Sequence, residues 1–213
     1  MKKFTILLPI LLTFLIADVL GQQPGRMPAR TEASINEYSV YQSDALWTNQ
    51  RNEIVQLRDF IGKPAVVTMF YGNCLQVCPI LIRDANRIYE AVDESLRDQV
   101  QVLAITFDPE NDTPEALRDY ADRYELNHPQ WHFLTGSPAP IRELAMLLGV
   151  QYRKDSYGHY SHSNQVFVLD DEGVIIHTLE GLNQPVEEAA AWIEEHLKRS
   201  NTHNTVDIIG NLN

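Results

Sequence analysis

The chain has 213 residues, 44% hydrophobic and 22% charged, a composition that suits one globular core with terminal extensions and excludes a disordered or fibrous protein. Its formal net charge of −12 would repel a phosphate backbone, which excludes nucleic acid as a partner. The two cysteines, Cys74 and Cys78, are too few and too close together for a framework of structural disulfides, and they point to chemistry instead.

The chain opens on Met1-Lys2-Lys3 and an apolar stretch, Phe4 to Ala17, that is interrupted by Pro9 and closed by Asp18. A spanning helix takes about 20 apolar residues, more than this run supplies. Residues 1–21 therefore read as a secretory signal peptide in preference to a retained N-terminal anchor. Either way the protein is expected to be exported, periplasmic or anchored at the membrane facing the periplasm. No cysteine follows the apolar stretch, so a bacterial lipid anchor is not expected. Residues 22–40, carrying Gly, Pro, Gln, Arg and Ser without apolar periodicity, read as a flexible linker.

A single domain is expected over residues 41–200. It begins with a short hairpin, Ala45-Leu46-Trp47 against Ile54 to Leu57 across a polar turn. Ala65 to Phe70 is a continuous apolar run, the signature of a central strand buried on both faces. Cys74 and Cys78 follow at once, and Pro79 opens a helix running to about Val92, which puts both sulfurs at a strand-to-helix turn. A second buried strand spans Val100 to Phe107. A helix follows from Pro114 to about Tyr124, with Thr113 as N-cap and proline at the first helical position. A strand at Trp131 to Leu134 then leads to a helix from Ala139 to Leu148 that is stopped by Gly149. Gln165 to Leu169 and Val174 to Thr178 flank Asp170-Asp171-Glu172-Gly173 as an antiparallel hairpin, and Pro185 to Lys198 forms a last amphipathic helix. A polar tail, 201–213, is expected to fray. Strand, cysteine turn, helix, strand, helix, hairpin and helix is the thioredoxin order. The expected fold is thus α/β and thioredoxin-like, a central mixed sheet flanked by helices with an extra N-terminal hairpin.

The spacing Cys74-Leu75-Gln76-Val77-Cys78 sets two sulfurs about one turn apart, near enough to close a disulfide or to hold one metal ion. At a helix N-terminus both thiols are expected to be acidified. The pair admits three uses, metal binding under redox control, redox cycling and a structural disulfide. A disulfide closing so small a ring adds little loop entropy. Two thiolates are soft ligands that select Cu(I) or Zn(II), and an added imidazole also suits Cu(II). Of seven histidines, His162 fits best, in Tyr160-Ser161-His162-Ser163-Asn164 just ahead of a strand, in a loop that reaches the same sheet edge as the cysteine turn in a thioredoxin-like fold. His159, three residues earlier, is its rival or an auxiliary ligand. His128, His132, His177, His196 and His203 read as solvated or hydrogen-bonded.

Four segments in order carry a family resemblance: Cys74-x-x-x-Cys78-Pro79, Phe107-Asp108-Pro109-Glu110-Asn111-Asp112-Thr113-Pro114-Glu115, Trp131-His132-Phe133-Leu134-Thr135-Gly136, and His162-Ser163. Over residues 43 to 182 the chain resembles the Sco/SenC copper chaperones. The resemblance implies a non-enzymatic metallochaperone that holds one copper ion, Cu(I) or Cu(II), with Cys74, Cys78 and His162, and matches Asp108 to an acidic position beside the site. It further implies delivery to the copper-bearing subunit of cytochrome c oxidase or another cuproprotein, exchange with a thiol reductant or another copper chaperone, and a place near the membrane. Thiol–disulfide reduction on a partner is the alternative role.

Overall fold

The computed structural model describes residues 35–210, with side chains described from 35 to 200. The leader expected at residues 1–21, most of the linker expected at 22–40 and the end of the tail lie outside the described residues. Among the described residues no helix is long and apolar enough to cross a membrane.

The N-terminal hairpin forms as its pattern demands. β1 (Leu46–Asn49) and β2 (Ile54–Gln56) pair antiparallel with Trp47 opposite Val55, and the Asn49 side chain closes the turn by accepting from the backbone of Arg51 and Glu53. β3 (Ala65–Phe70) is buried at every position, since it lies inside the sheet with both faces covered. α1 (Cys78–Ala91) follows, then β4 (Gln101–Thr106). α2 (Pro114–Arg123) is capped by Thr113, whose Oγ1 accepts from Ala116 N–H at 3.2 Å. β5 (Trp131–Gly136) leads to α3 (Pro138–Leu148), ended by Gly149 in the left-handed conformation. Then come β6 (Tyr152–Lys154), β7 (Tyr160–His162), β8 (Gln165–Leu169), β9 (Ile175–Glu180) and α4 (Glu187–Gly210).

Seven strands make one mixed sheet in the order β2-β1-β5-β4-β3-β8-β9. β3 and β4 run parallel, as do β4 and β5, while β8 turns antiparallel to β3 and continues into the hairpin with β9. Helices cover this sheet, α1 lying on β3 and α4 on α1 and β9. The architecture is thioredoxin-like, with the β1–β2 hairpin added beside β5.

Three features differ from the expectation. Ser39 and Val40, placed in the linker by composition, are buried. Ser39 Oγ donates to the Glu172 carbonyl at 2.6 Å and Val40 N–H to the Gly173 carbonyl at 3.0 Å, so this strap clamps the β8–β9 turn. Gly173 sits at φ +84° beneath it, where a Cβ would overlap the Tyr41 ring and Ser39 Oγ. The last helix runs to Gly210 rather than ending at Lys198, because neither proline nor glycine interrupts the polar stretch that follows. The third is the two-stranded ribbon β6–β7, Tyr152 opposite His162, where the sequence shows no apolar anchoring pattern.

His132 on β5 ties the added hairpin to the sheet. Its Nδ1 accepts from Arg51 Nη2 at 3.0 Å and its Nε2–H donates to Gln101 Oε1 at 2.7 Å, an arrangement open only to the neutral ring. Burial first, and then the Arg51 charge, lower its pKa to about 4. The unfolded ring titrates near its ordinary value of about 6.5, so between these two pH values the unfolded chain binds the extra proton. The contribution of His132 is therefore whole above pH ~6.5 and is lost as pH falls towards about 4, a loss on the order of 2–3 kcal/mol. Urea midpoints measured between pH 7 and 4.5 should fall more in the wild type than in His132→Gln, which takes up no proton; equal slopes would contradict this account.

Candidate metal centre

The carboxyl ends of the parallel strands β3 and β4 open side by side, the place where α/β sheets bind ligands. The chain leaves β3 through Tyr71-Gly72-Asn73 to Cys74, whose N–H donates to the Tyr71 carbonyl at 3.2 Å, and re-enters helical geometry at Cys78. Cys78 is thus the first residue of α1, its side chain turned into the core and fully buried, while Cys74 is 9% exposed on the turn. The Cys78 N–H donates to Cys74 Sγ at 3.3 Å.

His162 comes from the other side. It ends β7, and Ser163 N–H donates to the Gln151 carbonyl while Ser163 Oγ accepts from Gln151 N–H, which pins the base of the ribbon. The His162 Nδ1–H donates to the Ser163 carbonyl at 3.0 Å, so its Nε2 lone pair is left facing Cys78 Sγ at 3.4 Å. A backbone carbonyl that fixes one ring nitrogen so that the other is presented outward is the usual support of a metal-binding imidazole.

The remaining predicted residues divide. His159 lines the same cavity of about 530 Å³ as Cys74 and His162. It belongs to the ribbon's turn, where its N–H donates to Asp155 Oδ1, and among the described residues its imidazole bonds to neither sulfur. Asp108 does not face the sulfurs directly. It is 2% exposed and accepts from Tyr160 OH at 3.2 Å and Lys154 Nζ at 3.3 Å, both on the ribbon, and from Asn111 Nδ2 at 2.7 Å. Asp108 therefore holds the strand pair that carries His162.

Asp112 performs the matching task for the cysteines and was not singled out by sequence. Its Oδ2 accepts from Gly72 N–H at 2.9 Å and from Thr106 Oγ1, joining the cysteine loop to the end of β4. A Cβ at residue 72 would press into this carboxylate, so glycine is required there. Tyr71 is the other residue sequence reasoning missed. It is buried between the two halves, edge-on to His162 at 6.2 Å between centroids and tilted against Tyr160 at 5.2 Å. The signals available were Asp112 within the segment Asp108 to Pro114 and the aromatic directly after β3.

Electrostatics separate the two thiols, correcting the expectation that both are acidified. Partial burial opposes ionisation of Cys74, but the N–H groups of Cys78, Gln76 and Val77 converge on its sulfur and hold its pKa below the ordinary value. Cys78 is pushed well above the ordinary value, first by burial and also by the nearby Cys74 and Asp112 charges, against a backbone hydrogen bond from Tyr71. Cys74 is accordingly the more readily ionised sulfur and Cys78 the less.

Among the described residues no three Cys, His, Asp or Glu side chains stand gathered as a closed metal cage. What is present is a fixed half, Cys78 with His162, and a second sulfur, Cys74, one backbone hydrogen bond away. As a donor set, two thiols and one oriented imidazole fit a soft or borderline ion such as copper, and do not fit a hard, oxygen-seeking one.

Known proteins share the sequence pattern and the fold of this chain. The Bacillus subtilis "SCO1 protein homolog" is 24% identical over 144 residues, covering 66% of this chain and 74% of the relative. The mitochondrial "Protein SCO2 homolog" of Bos taurus is 28% identical over 180 residues, covering 78% of this chain and 66% of that one. The structure of Bradyrhizobium japonicum ScoI with copper bound superposes with a TM-score of 0.61 at 26% identity, over 71% of this chain and 96% of that one. The pattern that defines SCO1/SenC proteins matches residues 36–198, nearly the whole of the described fold, and the chain belongs to the SCO1/SenC family.

Proposed function

We propose that this protein is a copper metallochaperone that holds one copper ion through Cys74, Cys78 and His162 and delivers it to the binuclear copper centre of cytochrome c oxidase, working outside the cytoplasmic membrane. The observation that carries the reading is the 3.4 Å approach of His162 Nε2 to Cys78 Sγ, with the other ring nitrogen committed to a backbone carbonyl. A thiol–disulfide reductase needs only the two cysteines and gives that imidazole no task, whereas a two-sulfur, one-nitrogen copper site requires it. The copper-bound state of the Bradyrhizobium relative supports the same reading. Copper is the cargo. The thiols must be reduced to take it up, and because thiolates are the ligands, uptake releases protons.

The difference between the two sulfurs suits such a carrier. Cys74, acidified and near the surface, is the first to meet copper or a partner's sulfur, and Cys78 closes behind it.

The reduced protein should take up close to one copper per chain and show a sulfur-to-copper charge-transfer band in the Cu(II) form, read by metal analysis and absorption. An unchanged stoichiometry in the Cys74→Ser, Cys78→Ser double variant would sink the assignment.

The histidines should rank unequally. His162→Ala should weaken copper binding about a hundredfold and move the charge-transfer band, with His159→Ala changing affinity less than about threefold. Competition against a copper chelator measures both, and the opposite order would place His159 at the metal.

Asp108→Asn keeps the shape of that side chain but removes the charge that Lys154 and Tyr160 grip. Looser placement of His162 should then lower copper affinity about tenfold while the apoprotein stays folded by circular dichroism. Wild-type affinity in this variant would show that the ribbon is held by other means.

A further inference from the structure

Beside the site described above lies a second cavity of about 300 Å³, whose lining includes Phe107, Arg142, Tyr152, Arg153, Lys154 and Tyr160. On a chain of net charge −12 this is a local reversal of sign. Three cations edge the cavity against one carboxylate, Glu110. Lys154 is already engaged by Asp108 and Glu110, at 3.3 and 2.9 Å. Arg142 on α3 and Arg153 on β6 are exposed, and neither has a carboxylate partner among the described residues.

The floor of the cavity is also the back wall of the copper site. Phe107 stacks on Tyr152 at 5.1 Å and 13° and touches the His162 ring at 5.1 Å, and Tyr160 lines both cavities. A partner that spans the Tyr160 edge shared by the two cavities lies over Arg142 and Arg153 as well. On the far side of the cysteines Leu75 is 86% exposed, and at the tip of the ribbon so is Tyr157, also 86%. Apolar groups at a centre with arginines at its edge are the composition of a protein-docking surface, and exposed tyrosine and arginine are residues that anchor one.

We propose that this arginine-edged aromatic cavity is a docking surface for an acidic segment of the copper-accepting protein, an inference that rests on the chaperone reading. Charge complementarity selects the occupant. Two unpartnered guanidiniums offer forked donors that match carboxylates, and guanidinium planes lie well against the tyrosine rings beneath. Against the net negative charge of the chain this patch attracts an acidic partner and so favours one orientation, bringing the partner's own copper ligands towards Cys74 and His162.

The test is the Arg142→Glu, Arg153→Glu double variant of the purified protein, with the copper-free soluble copper-bearing domain of the host's cytochrome c oxidase as the probe. Association is followed by fluorescence anisotropy without copper, and copper transfer by absorption. Both association and second-order transfer should fall about tenfold or more, with copper uptake per chain and the circular dichroism spectrum unchanged. Wild-type association and transfer in the variant, tighter association, or no association of the wild-type protein with this domain would each overturn the proposal. A wild-type protein that associates with the domain but holds no copper would instead defeat the chaperone reading and leave the docking surface standing.

Discussion

Two buried carboxylates in the loop after β4 hold the whole site. Asp112 accepts from the backbone of Gly72 and so fixes the approach to Cys74, while Asp108 accepts from Tyr160 and Lys154 and so fixes the ribbon that ends in His162. Both are nearly inaccessible, at 3% and 2% exposed, and a carboxylate that deep is tolerable only when fully hydrogen-bonded. The two donor-bearing segments are 84 residues apart in the chain, from Cys78 to His162, and this loop is their common brace. The parallel pairing of β3 with β4 places the loop between them, so the sheet's topology and the site's geometry are one construction.

The same pairing explains why sulfurs four residues apart behave so differently. α1 begins at Cys78, and its first turn faces the core, so this thiol is taken out of water and its charged form is penalised. Cys74 stays on the turn, where N–H groups of the nascent helix gather round its sulfur. Cys74, at 9% exposed, keeps a narrow opening to the surface while Cys78 has none, and two exposed thiolates would invite disulfide formation with any partner. His162 presses on the sheltered Cys78, and its ring lines the same cavity as Cys74.

Aromatic packing carries the rigidity outward. Tyr71, Phe107, Tyr152 and Tyr160 form a continuous set of ring contacts behind His162, with Lys154 over the Tyr160 ring at 5.2 Å. The ribbon makes its own two-stranded sheet, which by itself would be marginal. The rings and the Asp108 contacts supply what it lacks, and they also shape the arginine-edged cavity on its outer side.

The amino-acid sequence by itself determined the elements and their order, because these follow from local periodicity. The unbroken apolar runs at Ala65 to Phe70 and Val100 to Phe107, the Thr113-Pro114 start and the Gly149 stop all appear in the structure within a few residues of where pattern puts them. It also determined that two cysteines sit where a strand gives way to a helix, and the segment from Asp108 to Pro114 carried the family resemblance. Tertiary structure alone decided the rest. The ribbon β6–β7 has too few apolar residues to announce itself, since its order comes from Asp108 and the rings rather than from a face of its own. Which thiol is acidic depends on which way the first turn of α1 faces, and a spacing of four residues is silent on that. His159 lies on an exposed turn, whereas the Ser163 carbonyl aims the His162 ring at Cys78, and that difference in placement comes from long-range folding and not from neighbours in the chain.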